Sequence, residues 1–192
     1  MLAPEIKSRP PREAANLLAE YPPPVITAVL MRLPPARAQD VLAELPGGLR
    51  DSAIHGAPPE TARQWARNQG YAAGSIGRLM EPALAVFRPE ITVQEAIERL
   101  RPLVRTAFIT YGYVTDGDGR LLGVITMRDL LFAGGETRLE TIMLRNPFFL
   151  KPDLPLSEAM KLVLDRHYPV YPVCDERGML IGLVRGQAMF EA

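Results

Sequence analysis

Thr126, Arg128 and Asp129 put a hydroxyl, a guanidinium and a carboxylate within four residues of one another. If a helix starts there, Thr126 and Asp129 lie on one side of its first turn. The unsatisfied backbone N–H groups and the dipole of a helix start favour a phosphate. The carboxylate suits a sugar diol, and Arg128 can pair with a phosphate. A plainer role is open to the same residues, with Thr126 capping the helix and Asp129 complementing its dipole. Tyr111, Tyr113 and Tyr168 offer flat faces for a base, although a strand tyrosine is more often core.

Other chemistry finds little material. Cys174 sits in an apolar strand-like run and reads as a buried small hydrophobe rather than a nucleophile. His55 and His167 have no evident triad partners, and no glycine-rich phosphate loop occurs. Asp116-Gly117-Asp118-Gly119 superficially matches a calcium loop, but Arg120 and Met127 stand where further oxygen ligands are needed. A hairpin turn is the better reading. The chain is therefore expected not to be an enzyme.

Composition narrows the class further. The 192 residues carry 22 basic and 22 acidic side chains, which removes the charge footprint of a nucleic-acid binder. A single cysteine excludes an internal disulfide framework, and with two histidines there is no Cys/His metal cage. No apolar run reaches the length of a membrane span, and the best stretch, Val25 to Met31, lies between Pro24 and Pro34. The first residues lack the basic flank and apolar core of a signal peptide. A soluble, cytoplasmic location is expected.

The elements that must position these residues fall into two halves. In the first, Leu18-Ala19-Glu20-Tyr21-Pro22, Leu30-Met31-Arg32-Leu33-Pro34 and Leu42-Ala43-Glu44-Leu45-Pro46 recur every 12 residues, with a fainter copy at Ile54-His55-Gly56-Ala57-Pro58. Proline blocks helix continuation but suits the first turn of the next helix. The cadence predicts short helices, each restarted at a proline and stacked as helical repeats. Gly70, Gly74 and Gly77 mark an expected flexible crossing.

The second half repeats itself once. Met80 through Ile97 aligns with Met143 through Met160 at an offset of 63, and Asp116 through Ile125 with Asp175 through Val184 at an offset of 59. In the first copy Thr92-Val93-Gln94-Glu95 is a capping box, followed by an apolar face of Val93, Ala96, Ile97 and Leu100. Pro102 is expected to end or kink that helix. Phe108 to Val114 and Leu121 to Ile125 then read as a hairpin, and Thr126 opens another helix. In the second copy Leu156, Ala159, Met160 and Val163 repeat the helix face, and Val170–Cys174 and Leu180–Val184 the strands.

A tandem βαββα unit carrying Asp-x-x-Gly-x-apolar-apolar-Gly-apolar-apolar resembles a CBS-domain pair, or Bateman module. With the proline-punctuated helices, the junction Ser75-Ile76-Gly77-Arg78-Leu79-Met80 and the closing Thr126-Met127-Arg128-Asp129, the chain resembles the cytosolic region of MgtE-type magnesium channels. The implied fold is α+β: a short all-α helical-repeat domain at residues 1–72, then CBS units at 73–135 and 136–192.

The resemblance implies an adenine nucleotide (ATP, ADP or AMP) held by Thr126, Arg128 and Asp129, with Tyr111 and Tyr168 as base-stacking faces. Arg185 and Ala188 replace Thr126 and Asp129 in the second copy, so only the first is expected to bind in the usual way. It also implies a homodimer through the CBS domains and regulation of a membrane magnesium channel or another protein. Mg²⁺ sensing belongs to the family, yet residues 76–192 hold 15 acidic against 14 basic side chains, which leaves no acidic excess. His167 stands where an acidic residue is expected. The helical part is about half the family's length, and the sequence stops at Ala192 where the family continues into a connecting helix and a channel. The chain is then either a free-standing relative or the soluble part of a larger protein, and it cannot conduct ions itself. The alternative is a ligand-free dimeric interaction scaffold.

Overall fold

A computed structural model describes residues 2–192. It contains two compact units. One runs from the N-terminus to Pro82 and also takes Pro152–His167 and Val184–Ala192; the other is Ala83–Lys151 with Tyr168–Leu183.

The first unit is helical. Its N-terminal part is α1 (Ala3–Ser8), α2 (Pro11–Leu18), α3 (Pro23–Leu30), α4 (Pro35–Glu44), α5 (Gly47–His55) and α6 (Pro59–Asn68). The proline cadence is written directly into these boundaries. Pro10, Pro22, Pro34 and Pro58 hold extended N-cap positions, and the next proline takes the first helical residue. A residue before proline is pushed out of the helical region, while proline at the first position gives up only an N–H that would have no partner. Each helix buries one stripe, and Ile6, Leu18, Ile26, Leu30 and Leu42 meet in one core. The hydroxyl of Thr27 ties α3 to α5 by donating to the Ala53 carbonyl at 2.9 Å.

A 3₁₀ turn, Ile76–Leu79, follows and corrects one expectation. Gly77 is not a flexible joint but a buried, close-packed residue: a Cβ placed on it would lie 2.3 Å from the Tyr71 ring. Its N–H donates to the Pro152 carbonyl at 2.7 Å, and the Ile76 N–H to Leu154 at 2.9 Å. Gly74, at φ 74°, does need glycine's freedom.

The second unit carries β1 (Val86–Phe87), α7 (Val93–Leu103), β2 (Tyr111–Thr115), β3 (Leu121–Thr126), α8 (Met127–Phe132), α9 (Leu139–Ile142) and β4 (Leu144–Arg145). The strands form one sheet in the order β1-β2-β3-β4, with β1 parallel to β2 and the other pairs antiparallel. The Thr92/Glu95 capping box is formed, and α7 ends one residue beyond Pro102. Phe87, Val93, Ala96, Val114 and Ile125 pack in its core. The second copy supplies α10 (Leu156–Val163), the paired strands β5 (Val170–Cys174) and β6 (Leu180–Arg185), and α11 (Gly186–Glu191).

The internal repeat is visible in bonding as well as in sequence. Phe87 pairs in parallel with Val114, and Leu150 with Val173, which are the matching positions at the two offsets. Asp116 Oδ1 accepts from the Asp118 and Arg120 N–H groups, and Asp175 Oδ1 from Arg177 and Met179. Each turn closes on a glycine with positive φ, Gly119 at 90° and Gly178 at 80°. The two turns also bond each other reciprocally, Leu121 N–H to the Gly178 carbonyl and Leu180 N–H to Gly119, both at 3.0 Å. The Asp116 segment is thus a hairpin turn whose carboxylate is occupied by its own backbone.

Candidate functional site

Thr126 is the last residue of β3 and the N-cap of α8, so one residue belongs to both the sheet and the helix. Its hydroxyl accepts from the Asp129 N–H at 3.1 Å and donates to Asp129 Oδ2 at 2.7 Å. The same Oδ2 accepts from the Thr126 N–H at 2.8 Å. This reciprocal capping box fixes both side chains. Both of these bonds to the carboxylate end on Oδ2, which leaves Oδ1 to accept from a ligand diol. The hydroxyl of Thr126, by contrast, already donates and accepts, so it positions the carboxylate. Because α8 has only six residues and one of its first N–H groups is taken by Thr126, the helix start contributes less to a phosphate than its sequence implied.

The antiparallel register sets Tyr111 directly opposite Thr126. Tyr111 is half-buried. Burial, and then the neighbouring phenols of Tyr168 and Tyr171, push its hydroxyl above the ordinary tyrosine range. The Tyr168 and Tyr171 rings lie 5.8 Å apart, and the Tyr168 N–H donates to the Tyr171 hydroxyl at 3.1 Å. Tyr168 is 45% exposed and offers a face. Tyr113 is not available for stacking: it is 1% exposed and meets Tyr111 edge-on at 6.5 Å.

Tyr171, which sequence reasoning missed, is the buried support of this group. Nothing in the repeat signals it, since its counterpart at the offset of 59 is Gly112. Just before β2, the Thr110 hydroxyl is buried with no hydrogen-bond partner among the described residues. Arg128 is not drawn into the group; its exposed guanidinium lies over the Phe132 ring at 5.8 Å.

The second copy does not rebuild this arrangement. Arg185 caps α11 with its backbone alone, and its Nε donates to both oxygens of Glu81 at 3.0 and 3.1 Å. Ala188 is buried at the position matching Asp129. Among the described residues no group of three or more His, Cys, Asp or Glu could hold a metal ion. Cys174 is fully buried, and desolvation pushes its thiol up to about 12, with Asp175 adding to the effect and Lys151 opposing it. No helix among the described residues is long and apolar enough to cross a membrane.

A family model described as the CBS domain matches residues 76–136 and 139–191. The chain belongs to the CBS domain family. Its pair of CBS units follows an MgtE-like helical domain. The magnesium transporter MgtE of Thermus thermophilus is 37% identical over 115 residues, covering 59% of this chain and 26% of that protein. The chain thus spans about a quarter of the length of that relative.

Among solved structures, the cytosolic domain of the Mg²⁺ channel MgtE in complex with ATP superposes with a TM-score of 0.82 at 29% identity. It covers 98% of this chain and 78% of that one, so the likeness includes the helical repeats. CBSX2 in complex with AMP, at 25% identity and a TM-score of 0.52, covers 61% and 93% of the two chains. The fold is α+β as expected, and the relationship places the CBS pair among regulatory rather than catalytic modules.

Proposed function

We propose that this chain is a regulatory sensor that binds an adenine nucleotide on the face shared by Tyr111, Tyr168 and Asp129. One observation carries the reading: the Asp129 carboxylate keeps Oδ1 for a ligand and is held by Thr126, the residue that stands across the ladder from Tyr111. Asp129 takes the ribose diol, Tyr168 stacks on the base beside Tyr111, and Arg128 leaves the Phe132 face to pair with phosphate. The complexes of the MgtE cytosolic domain with ATP and of CBSX2 with AMP support this ligand class. Mg²⁺ enters as the ion carried by the nucleotide phosphates, since it keeps several waters and needs few protein ligands.

The sensor works in the cytoplasm as a homodimer through its CBS helices, where Leu131 and Phe132 of α8 are largely exposed. Its output is the state of a magnesium channel or of another protein that contacts it. A nucleotide shifts such an output only by binding two arrangements with different affinity.

Calorimetric titration of the full chain with ATP, ADP and AMP, with and without Mg²⁺, tests the proposal. Saturable binding of at least one nucleotide is expected. Asp129→Asn, which keeps a capping oxygen but removes the charge, should weaken it by ten-fold or more. No binding by the folded wild-type protein leaves the interaction scaffold as the function. Unchanged affinity in Asp129→Asn moves the nucleotide away from this face.

A further inference from the structure

From Pro22 to Met31, the segment that forms α3 carries no charged side chain, and its one hydroxyl, Thr27, is spent on the Pro23 and Ala53 carbonyls. A helix that is apolar all round is ordinarily covered on every side. Here the outer stripe is open, with Pro24 and Ala28 exposed. Between this stripe and α1 lies a groove of about 570 Å³ walled by Leu2, Ala3, Val25, Ala28, Val29 and Leu33. Among the described residues its charged members are Lys7 and Arg32, and no carboxylate lines it.

Both cations stand at one end of the groove. Arg32 follows the last turn of α3, just before Pro34. The end of α1 is held against the residues that come next, because Arg37 donates to the Ile6 carbonyl at 3.0 Å and to that of Arg9. Lys7, between those two carbonyls in sequence, borders Pro34 and Pro35 in an adjoining recess. The carboxylates of that recess do not neutralise it: Asp40 is faced by Arg78 at 3.8 Å, and Glu191 accepts from Gln187 at 2.7 Å. Neither the Lys7 nor the Arg32 side chain has a hydrogen-bond or ion-pair partner among the described residues.

The scale of the groove is that of a small molecule. Such sites span roughly 300–1,000 Å³ and set apolar walls against a few charged groups. A stable protein interface takes about 20–30 residues a side, far more than line this groove. We infer that the groove is a ligand site, independent of the nucleotide face, for a free single-chain anionic amphiphile such as a fatty carboxylate. The alkyl chain covers the open stripe of α3, and the carboxylate pairs with Lys7 and Arg32.

Calorimetric titration of the full chain with decanoate, below its micelle concentration, tests the inference. Saturable binding of one decanoate per chain is expected in the sub-millimolar range. Decyltrimethylammonium, with the same chain and the opposite charge, should bind at least ten-fold more weakly. The double variant Lys7→Gln/Arg32→Gln should lose at least ten-fold in decanoate affinity, and both positions are exposed, so the fold should survive. Ala28→Glu, which sets a carboxylate on the exposed stripe, should lose as much and serves as the second variant. Absent binding, equal affinity for the two amphiphiles, or unchanged affinity in both variants overturns the inference. So does co-sedimentation with phosphatidylglycerol vesicles without decanoate binding, which would make this face a membrane-docking surface instead.

Discussion

Tyr111 and Thr126 face each other across the β2–β3 ladder, on the same side of the sheet. The pairing couples a ring to a helix cap, because Thr126 also closes the capping box with Asp129. Strand register therefore fixes ring and carboxylate relative to each other. A one-residue slip would send Tyr111 to the opposite face and separate them.

Thr126→Ala should be mainly a stability lesion. The hydroxyl is used within the capping box, and loss of an N-cap side chain costs about 1 kcal/mol. For a chain of this size that lowers Tm by about 2–4 °C. Thr126→Ser keeps the oxygen and should recover most of the loss in a thermal melt. Nucleotide affinity should fall less in Thr126→Ser than in Asp129→Asn, which separates positioning from contact.

Much of this was legible in the sequence because the signals were local. Prolines dictate where helices restart, and the observed starts at Pro11, Pro23, Pro35, Gly47 and Pro59 keep the 12-residue spacing. The Thr92/Glu95 box and the Asp116 turn were equally readable, since each is completed within four residues. Non-local packing was not. Gly77 carries the same letter whether it bends freely or lies under the Tyr71 ring, and only tertiary contact decides. The same holds at the site. Residue type alone points to Tyr111 and Tyr168 and passes over Tyr171, while Tyr113 lies in the core, because a tyrosine's role depends on which face of which strand it occupies.

Gly123 is a second place where close approach decides. A Cβ there would lie 2.6 Å from Met143 Sδ and 3.0 Å from the Leu144 carbonyl on the paired strand β4. The sulfur can move, but the backbone oxygen cannot without opening the β3–β4 ladder. Gly123→Ala should destabilise by about 1–3 kcal/mol, the usual cost of overpacking. Gly48→Ala in α5, where nothing lies within 4 Å, should stabilise by about 0.4–1 kcal/mol through the unfolded chain. Chemical denaturation of the two variants checks the contrast.

Acid should loosen the hairpin between β2 and β3. The Arg120 backbone N–H, supported by those of Asp118 and Gly119 and by the Arg120 charge, holds the Asp116 carboxyl below the ordinary aspartate value against a smaller desolvation effect. A depressed folded-state value means the contribution is fully present above the unfolded-state value, about pH 4, and is lost as pH falls through the folded one. Melts taken from neutral pH down to the acid limb should show a steeper loss for the wild type than for Asp116→Asn. Parallel curves would mean that other carboxylates dominate the acid limb.

Cys174 provides a reporter of opening that needs no added label. Its thiol is fully buried and pushed up to about 12, so at pH 8 only about one in ten thousand is ionised, and that fraction is shielded. Reaction with a thiol reagent must therefore pass through an opened state, and when closing outpaces labelling the rate follows the population of that state. The folded protein should label far more slowly than the denatured chain. A ligand that binds only the closed form, present at about a hundred times its Kd, should slow labelling a further hundred-fold or so. If ATP or AMP slows Cys174 labelling in the wild type and not in Asp129→Asn, the nucleotide stabilises the fold through Asp129, because the reporter lies on β5 and contacts no proposed ligand atom. Rapid labelling of the folded wild type would instead show that β5 opens on its own, and the thiol would report a local event rather than ligand-linked stability.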